Sequence, residues 1–507
     1  MSRRPGPLVA AVAMGYGHLR AAHSLAEELA TELLLADRPP IAGPAERRLW
    51  AASRRVYETT SRLSQLPLVG PALDRVLDTV TAIEPLHPPR DLSAPDRPAR
   101  VLRRAIERGL GRGLAERVAE AGAPLVTTYF ATALAADFHL RRLGDGAPPV
   151  FCVGTDSDLA RVWAAFDPAA CRVRHLAPTR RVARRMSAYG VPPERIELTG
   201  FPLPGALLGG EDLVALRRDL AARLARLDPS GALRRGPLRP AIEAALGPAA
   251  PGPATAGRPL HVVYSVGGAG AQARLGTRIL QALADEIRAG RARLTLVAGT
   301  RPEVADRFAT AARRAGLETG EPGVEVLHDP DVGAYVARFH RLLAGADLLW
   351  TKPSELTFFA ALGLPLVLAP PVGEQEHYNL RWALEAGAAL PQRDPDHAAH
   401  WLAEWLADGT LAATAWNGFT RLPRRGLYRI AARVRGEAGR LEVVSSTGEI
   451  DCQTPAEDLA RRSRSKVGWT TEMIEVKLDL PDESGVAEEI LTPPPRRPRS
   501  RPACRGG

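Results

Sequence analysis

The chain alternates between short apolar runs and longer segments with helical spacing. Residues 8–13 are apolar, and Gly15 and Gly17 follow them closely. Beyond the glycines, apolar residues recur every three or four positions, at Leu19, Ala22, Leu25, Leu29 and Leu33. Glycine adopts backbone angles that other residues avoid, so this pattern predicts a buried strand, a tight turn and a helix.

The same alternation predicts two α/β units. In the first, apolar runs at 124–128, 149–153 and 195–199 predict strands, and 38–123 is predicted to be helical, basic and broken by prolines. The second opens at Leu260 and contains five strand-like runs, "LHVVYS", "RLTLVAG", "VEVLH", "DLLWT" and "LPLVLAP". Strands that alternate with helices favour a parallel sheet covered on both faces. We therefore expect an α/β fold of two doubly wound, Rossmann-like domains across a cleft, with ligands at the carboxyl ends of the strands.

Composition divides the chain into four parts. Residues 1–205 form the predicted N-terminal domain, and 206–258 have the Ala-, Arg-, Gly- and Pro-rich composition of a linker. Residues 259–435 form the predicted C-terminal domain. The remaining 436–507 are basic and proline-rich, which predicts a disordered tail.

Charge and cysteine content narrow the classes of partner. The formal net charge is +10, but aromatic residues make up only 5% of the chain, so no specific nucleic acid is expected. A basic surface suits phosphorylated substrates or peripheral association with an anionic membrane. The four cysteines lack metal-type spacing, and no run of about twenty apolar residues predicts a spanning helix. We expect a cytoplasmic protein, free or at the inner face of the membrane.

The first glycine turn carries a candidate catalytic residue. A helix that starts at such a turn points its free N–H groups at the turn and attracts anions. His18 stands at this helix start, where the helix dipole opposes a positive charge, so we expect a neutral imidazole that accepts a proton. A structural turn without ligand and a dinucleotide fingerprint are the alternatives. The fingerprint needs a third glycine where Arg20 stands, although Asp37 lies where its ribose-binding acid is expected.

A second glycine turn follows the first strand of the second unit. Gly267, Gly268 and Gly270, with Ala269 among them, turn the chain before a helix predicted to begin near Ala271 or Gln272. Small residues let the backbone approach a diphosphate, and the helix start supplies N–H donors. Two such turns, each after the first strand of its own unit, favour a ligand more strongly than one alone.

Polar residues collect at the ligand edge of the second unit. Lys352, Ser354 and Glu355 follow a predicted strand, where a lysine suits a phosphate and a glutamate suits two ribose hydroxyls. Further on, a helix begins with three residues that suit the hydroxyls of a sugar ring, Gln375, Glu376 and Asn379. Helix capping and plain surface polarity are the alternative interpretations of these residues.

Several motifs together resemble a known family. In chain order they are "GYGHLRAA", "TDSDLARVW", "ERIELTGFPL", "VGGAGAQ", "AALGLP" and "GEQEHYN". The chain resembles the GT-B glycosyltransferases of the family 28-like group that includes the peptidoglycan N-acetylglucosaminyltransferase and the monogalactosyldiacylglycerol synthases. The resemblance covers residues 8–205 and 258–430.

The resemblance implies a metal-independent, inverting hexosyltransferase that needs no cofactor. The C-terminal domain would hold a nucleotide sugar, expected to be a UDP-sugar, and the N-terminal domain would hold an acceptor that the motifs do not identify. Residues Gly268 to Gln272 would face the diphosphate, and the Gln-Glu-x-x-Asn motif would hold the sugar. His18 would lie near the reacting centre.

Two residues are candidates for the proton acceptor in that reaction. We assign the base to His18, and we expect Asp156, which follows a predicted strand, to orient it or the acceptor. The reverse assignment stays open, and Asp158 is a stand-in for Asp156. Gly15 and Gly17 would form the acceptor-side loop.

One position departs from the family pattern. The relatives carry a ribose-binding acid five residues before the glycine of the Gly-Leu-Pro run, whereas this chain has Phe358 there and Glu355 one helical turn earlier. The preference for uridine is therefore open. Two other functions stay open as well: a sugar-nucleotide epimerase, which needs no acceptor, and a non-catalytic protein that binds nucleotide sugars.

Overall fold

The computed structural model describes residues 6–51, 83–247, 258–267, 272–320, 323–371 and 373–437. Within those residues, the strands form two parallel sheets of six strands each. Three predictions fall wholly or partly on residues outside this part of the chain: the proline-broken segment 38–123, of which 52–82 are not described, the loop of Gly268, Ala269 and Gly270, and the tail beyond 437.

The first sheet lies in the N-terminal lobe. Its strands are β1 Leu8–Ala11, β2 Leu33–Leu35, β3 Leu125–Thr127, β4 Val150–Val153, β5 Arg174–Ala177 and β6 Ile196–Leu198. They run parallel in the order β2-β1-β3-β4-β5-β6. Strand β1 pairs with β2 on one side and with β3 on the other, so the chain changes direction across the sheet at β1. Ligand crevices of open α/β sheets form at such a switch point.

The second sheet lies in the C-terminal lobe. Its strands are β7 Leu260–Ser265, β8 Ala292–Gly299, β9 Val324–His328, β10 Leu348–Thr351, β11 Leu366–Leu368 and β12 Ala389–Pro391. Their order is β12-β11-β10-β7-β8-β9, in which the first strand is central, as in the Rossmann fold. The predicted pair of doubly wound, Rossmann-like domains is confirmed.

The helices pack on these sheets. Those of the first lobe are α1 Tyr16–Glu28, α2 Arg97–Glu107, α3 Arg112–Ala121, α4 Phe130–Leu140 and α5 Arg180–Ala188. Four helices follow the first sheet and precede the second along the chain: α6 Gly205–Leu208, α7 Val214–Leu227, α8 Ala232–Arg235 and α9 Arg239–Leu246. The rest are α10 Ala273–Arg288, α11 Pro302–Arg314, α12 Val332–Ala344, α13 Glu374–Glu385, α14 Ala398–Ala407, α15 Thr410–Arg421 and α16 Gly426–Arg435. Short 3-10 helices occupy Arg141–Gly146, Arg161–Trp163, Pro193–Arg195, Glu355–Leu362 and Pro395–His397.

Both faces of the first sheet are covered. Successive side chains of a strand point to opposite faces, and here Val9 and Ala11 pack in one core with α1, whereas Ala10 and Val12 pack in another with α4. This division is what a doubly wound sheet requires. None of the described helices is long and apolar enough to cross a membrane.

The sequence pattern does not predict strands β2, β5 and β12. Helix α1 ends at Glu28, whereas the apolar spacing predicts it through Leu33, and Ala30 takes a left-handed φ of 51° beyond its end. The leucines at 33–35 form β2 instead, because successive leucines fit a helical and an extended pattern equally well. Strand β5 begins with an arginine and a histidine, and β12 ends in Pro391, so neither is a continuous apolar run.

The segment predicted as a linker is largely helical. Helices α6 to α9 occupy most of 205–246, and α7 packs on α15 of the C-terminal lobe. The buried guanidinium of Arg223, in α7, donates to carbonyl oxygens of that lobe, at Leu343, Ala346, Leu362 and Gly363. The last helix, α16, returns to the N-terminal lobe and packs against α1. The domain boundaries at 205, 258 and 435 stay a prediction.

Close packing of α15 against the 3-10 helix Glu355–Leu362 gives a first test. Gly418 of α15 lies so close to the carbonyl oxygen of Ala360 that an added methyl group would overlap it. We expect Gly418→Ala to lower the free energy of unfolding by about 1–3 kcal/mol. Gly43→Ala is the control, because a Cβ there meets nothing within 4 Å, and it should change stability by less than about 0.5 kcal/mol. Equal effects in denaturant unfolding would contradict this packing.

Candidate active site

The turn after β1 places the start of α1 at the carboxyl edge of the first sheet. Gly15 precedes the helix with a φ of 84°, a left-handed value that glycine adopts without strain. Asp37, just after β2, accepts a hydrogen bond from the amide of Ala13 at 3.0 Å. Its side chain is buried and supports the turn. Asp37 is therefore not placed to bind a ribose, which the dinucleotide interpretation requires.

His18, the third residue of α1, lies against the ends of β3 and β4. Its Nδ1 is 2.7 Å from the carbonyl oxygen of Thr128, and the hydroxyl of Thr155 lies 3.3 Å from the same nitrogen. A carbonyl oxygen can only accept, so Nδ1 carries the hydrogen and neutral His18 has its lone pair on Nε2. The Thr128 hydroxyl also donates to the His18 carbonyl at 2.9 Å. Thr128 therefore fixes both the ring and its backbone.

Burial lowers the pKa of His18 below its usual value of 6.5. The carbonyl of Thr128 and the carboxylate of Glu355 oppose this shift in pKa without cancelling it. The ring packs edge-on against Tyr129, with the ring centroids 4.9 Å apart. His18 is therefore neutral at pH 7, and desolvation is the main cause.

Asp156 follows β4 and meets the opposite lobe. Its Oδ1 accepts a hydrogen bond from the side-chain amide of Asn379, in α13, at 2.8 Å. Burial raises the pKa of Asp156 from 3.8 to about 6, and the hydrogen bond from Asn379 acts in the other direction. Nearby charges also act on this pKa: Glu355 and Glu376 raise it, and Lys352 lowers it. Burial beside the opposite lobe is thus the main cause of this raised pKa.

Asp158 does not face the crevice between the lobes. Its side chain is fully buried, and its oxygens accept hydrogen bonds from Arg185 of α5 at 2.8 and 2.7 Å. A bidentate pair of this kind has strong, directional hydrogen bonds and stabilises the loop after β4. Both oxygens of Asp158 are therefore occupied within the N-terminal lobe, and the choice between Asp156 and Asp158 stays a prediction.

Lys352 and Glu376 form an ion pair at the edge of the second sheet. Lys352 follows β10, Glu376 lies in the first turn of α13, and Nζ of the lysine donates to the carboxylate. The lysine chain passes so close to Gly267 that a Cβ there would lie 2.7 Å from its Cε. Helix α13 begins after Gly373 without a side-chain cap, and the positive end of a helix dipole favours an anion. This edge is therefore suited to a phosphate.

The other residues predicted for the donor side take different places. Ser354 caps the 3-10 helix, with its hydroxyl 3.4 Å from the amide of Leu356. Gln272 precedes α10 in a left-handed conformation, with a φ of 68°, and its Nε2 donates to the carbonyl of Pro370 at 3.4 Å. Gln375 is half-buried, and its side chain makes no hydrogen bond to the described residues.

Glu355 pairs with Arg20 of the opposite lobe. The Arg20 guanidinium donates to Oε1 of Glu355 and to the hydroxyl of Tyr335, and all three side chains are buried. Its Cζ lies 4.7 Å from the centre of the Phe339 ring. A Cβ at Gly17 would lie 2.9 Å from Oε2 of Glu355, so the two lobes are in close contact here. Glu355, which the sequence predicts to bind the ribose, thus forms an ion pair that links the two lobes.

Tyr16 makes a second link between the lobes. Its hydroxyl accepts from the amide of Thr300, just after β8, at 2.8 Å and lies 2.8 Å from the hydroxyl of the same residue. Gly299 has a φ of 68°, and a side chain there would collide with the Tyr16 ring. The sequence pattern does not predict the roles of four residues that lie here, Tyr16, Thr300, Thr128 and Tyr335. One signal for them exists in the sequence, the position of Tyr16 between two glycines.

Groups from both lobes therefore meet in one crevice. The N-terminal lobe contributes His18 and Asp156, and the C-terminal lobe contributes Lys352, Glu355 and Glu376. All three of these charges act on the pKa of Asp156, and Glu355 also acts on the pKa of His18. Across the described ranges, no group of three or more His, Cys, Asp and Glu side chains is arranged to hold a metal ion. The crevice can accept a proton on one side and bind an anion on the other.

Comparisons with known proteins find similarity in structure only. No protein-family model matches the chain, and no curated protein matches its sequence. Solved structures that resemble it include the S. aureus MnaA–UDP co-structure, with 12% identity, a TM-score of 0.43, and coverage of 85% of this chain and 96% of that one. The Neisseria meningitidis UDP-GlcNAc 2-epimerase bound to UDP-GlcNAc has 10% identity, a TM-score of 0.43 and coverage of 85% and 98%. Acinetobacter baumannii MurG has 12% identity, a TM-score of 0.42 and coverage of 85% and 99%. Similarity this distant transfers no activity to the chain.

The ion pair between the lobes predicts a large effect on stability. Removing one partner of a buried pair leaves the other charge unpaired, so Arg20→Ala should lower the free energy of unfolding by about 3–5 kcal/mol. Replacing both partners, as Arg20→Met with Glu355→Leu, should recover most of that loss. The control is Arg239→Ala, which breaks an exposed pair with Glu243 and should cost less than about 0.5 kcal/mol. Similar losses for Arg20→Ala and Arg239→Ala in urea unfolding would contradict the link between the lobes.

The raised pKa of Asp156 predicts a pH-dependent stability. The folded state binds this proton more tightly than the unfolded chain, so the stabilisation is complete below pH 3.8 and is lost as the pH rises through about 6. Asp156→Asn keeps the shape and removes the titration. Relative to the parent protein, this variant should gain about 2–3 kcal/mol in free energy of unfolding between about pH 4 and about pH 8. A constant difference over that range would mean that the pKa of Asp156 is not raised.

Proposed function

We propose that this protein is an inverting glycosyltransferase that moves a sugar from a nucleotide sugar, a UDP-sugar in the first instance, to an acceptor hydroxyl without a resident metal ion. One observation carries the proposal: His18 commits its Nδ1 hydrogen to the Thr128 carbonyl and keeps the Nε2 lone pair for a proton. The family motifs at both glycine turns and within 346–390 support it.

The transfer requires a base on the acceptor side. As the acceptor oxygen attacks the anomeric carbon, its proton passes to Nε2 of His18, and the bond between that carbon and the diphosphate oxygen breaks. The bonding electron pair leaves with the diphosphate, and attack from the opposite face inverts the anomeric centre. Burial lowers the pKa of His18 and so keeps the ring neutral and able to accept the proton at pH 7.

The donor is assigned to the C-terminal lobe. Its diphosphate would bind at the start of α13 beside Lys352, because a helix N-terminus and a lysine both favour negative charge. The loop of residues 268–270 and Gln272 would face the same diphosphate. Gln375 and Glu376, in the first turn of α13, would hydrogen-bond the hydroxyls of the sugar.

Two acids complete the proposed site. Glu355 has Oε1 committed to Arg20, so Oε2 is the oxygen that would accept a hydrogen bond from the ribose. Asp156 lies on the acceptor side of the crevice and would orient the acceptor hydroxyl or the His18 ring. Its pKa of about 6 leaves it mostly ionised at pH 7, which suits an acceptor of hydrogen bonds.

A sugar-nucleotide epimerase is the second candidate. The carboxyl groups of Glu355 and Glu376 both act on Asp156, so three acids share one crevice. A carboxyl group with a pKa near 6 is suited to removing and returning a proton on the donor sugar itself. That reaction needs no acceptor hydroxyl.

Removal of the base tests the leading proposal. General-base catalysis contributes about 10²–10⁴-fold in rate, so His18→Ala should lower turnover by that order while the Kd of the donor stays nearly unchanged. His23→Ala, on the same helix, is the matched control and should keep its turnover. Turnover is measured as nucleotide release and Kd by calorimetry. A loss of turnover below about fivefold would contradict the assignment of His18 as the base. A loss of donor affinity equal to the loss of turnover would make His18 a phosphate-binding residue.

The products of a sugar-nucleotide panel separate the candidate functions. Each nucleotide sugar is incubated with the protein, with and without a set of lipid, glycan, polyketide and protein acceptors. Nucleotide release that depends on an acceptor would support a transferase. A changed sugar in the absence of acceptor would support an epimerase, and binding without turnover would contradict both enzymes.

A further inference from the structure

The side chain of Asn379 is fully engaged between the two lobes. Its amide nitrogen donates to Oδ1 of Asp156 at 2.8 Å and to the carbonyl oxygen of Pro353 at 3.3 Å. Its amide oxygen accepts from the backbone N–H of Ser157 at 2.7 Å. The residue is completely buried. A primary amide has two N–H donors, and both are used here.

These partners also determine which way the amide points. A backbone N–H can only donate and a carbonyl oxygen can only accept, so the amide oxygen must face Ser157 and the nitrogen must face Pro353. The nitrogen then presents its second hydrogen to Asp156. With both donors committed, Asn379 has none for a sugar hydroxyl, in contrast to the role that the family resemblance implies.

The position of Asn379 on α13 connects it with the donor side. It lies four residues after Gln375 and three after Glu376, and such residues share one side of a helix. Gln375 and Glu376 belong to the first turn, where the donor is proposed to bind. Asn379 lies one turn further on, against the loop after β4 that carries Asp156. One helix thus contacts both halves of the site.

We propose that Asn379 is a positioning residue, which holds the Asp156 carboxylate in place and links it to the donor-binding start of α13; this inference rests on the proposed function. The hydrogen bond orients one carboxylate oxygen and favours the ionised form. Three charged groups face Asp156 from the C-terminal lobe, where Glu355 and Glu376 oppose its ionisation and Lys352 supports it. The amide of Asn379 adds a neutral donor to this set.

Two substitutions separate positioning from sugar binding. Asn379→Asp keeps the shape and the acceptor for Ser157 but places a like charge beside Asp156, and Asn379→Ala removes the amide. We expect both to lower turnover about 10- to 100-fold, because the reacting groups are misplaced, and to change the Kd of the UDP-sugar less than about threefold. The acidic limb of the pH–rate profile should move up by about one pH unit in Asn379→Ala and further in Asn379→Asp.

The opposite result would overturn the inference. A loss of donor affinity of about tenfold or more, with an unmoved pH profile, would make Asn379 a sugar ligand. Gln375→Ala is the matched contrast on the same side of α13, and it should lower donor affinity without moving the pH profile. His377→Ala, at an exposed position of the same helix, should change neither quantity.

A titration of Asp156 itself tests the inference independently of turnover. With ¹³C-labelled aspartate, the Asp156 carboxyl signal is identified by its loss in Asp156→Asn and followed against pH in the parent and in both Asn379 variants. A higher titration midpoint of Asp156 in Asn379→Asp than in the parent would support the inference, even if no sugar nucleotide is turned over. A failure of the proposed function can therefore be distinguished from a failure of this inference. Equal midpoints would overturn the inference whatever the activity.

Discussion

The buried ion pair between Arg20 and Glu355 determines the geometry of the crevice. The two charges come from different lobes, and either charge alone in these apolar surroundings would be costly, so both are satisfied only when the lobes are together. The hydroxyl of Tyr335 accepts a second hydrogen bond from the Arg20 guanidinium. His18 precedes Arg20 by two residues and Lys352 precedes Glu355 by three. Closing the pair therefore brings His18, the proposed proton acceptor, and Lys352, the proposed phosphate-binding lysine, to opposite sides of one crevice.

Burial and pairing then assign different tasks to chemically similar groups. His18 is kept neutral by desolvation, and the Thr128 carbonyl decides which of its nitrogens is basic. Asp156 and Asp158 are two residues apart, yet burial beside the opposite lobe raises the pKa of Asp156 to about 6, whereas Asp158 is held in a bidentate pair by Arg185. The chemistry of the site thus follows from what surrounds each group rather than from residue type alone.

Local pattern was sufficient for most of the fold, because buried parallel strands are short apolar runs between segments with helical spacing. The local pattern fails where one apolar run fits both the helical and the extended spacing, as at Leu33–Leu35. For the site, the pattern predicts that His18 and Lys352 lie at the carboxyl edges of their sheets, since each follows a strand. It does not predict the bond from Arg20 to Glu355, whose partners are 335 positions apart and meet only through the packing of the lobes.

A crystal structure of the protein with a UDP-sugar would show whether the two lobes hold a donor between them. We expect a nucleotide sugar between the lobes, with its diphosphate at the start of α13 beside Lys352. Its anomeric carbon should face His18, with room for one hydroxyl group between that carbon and Nε2. A sugar nucleotide bound outside the crevice, or a His18 whose Nε2 donates a hydrogen bond to the protein, would contradict the proposed site.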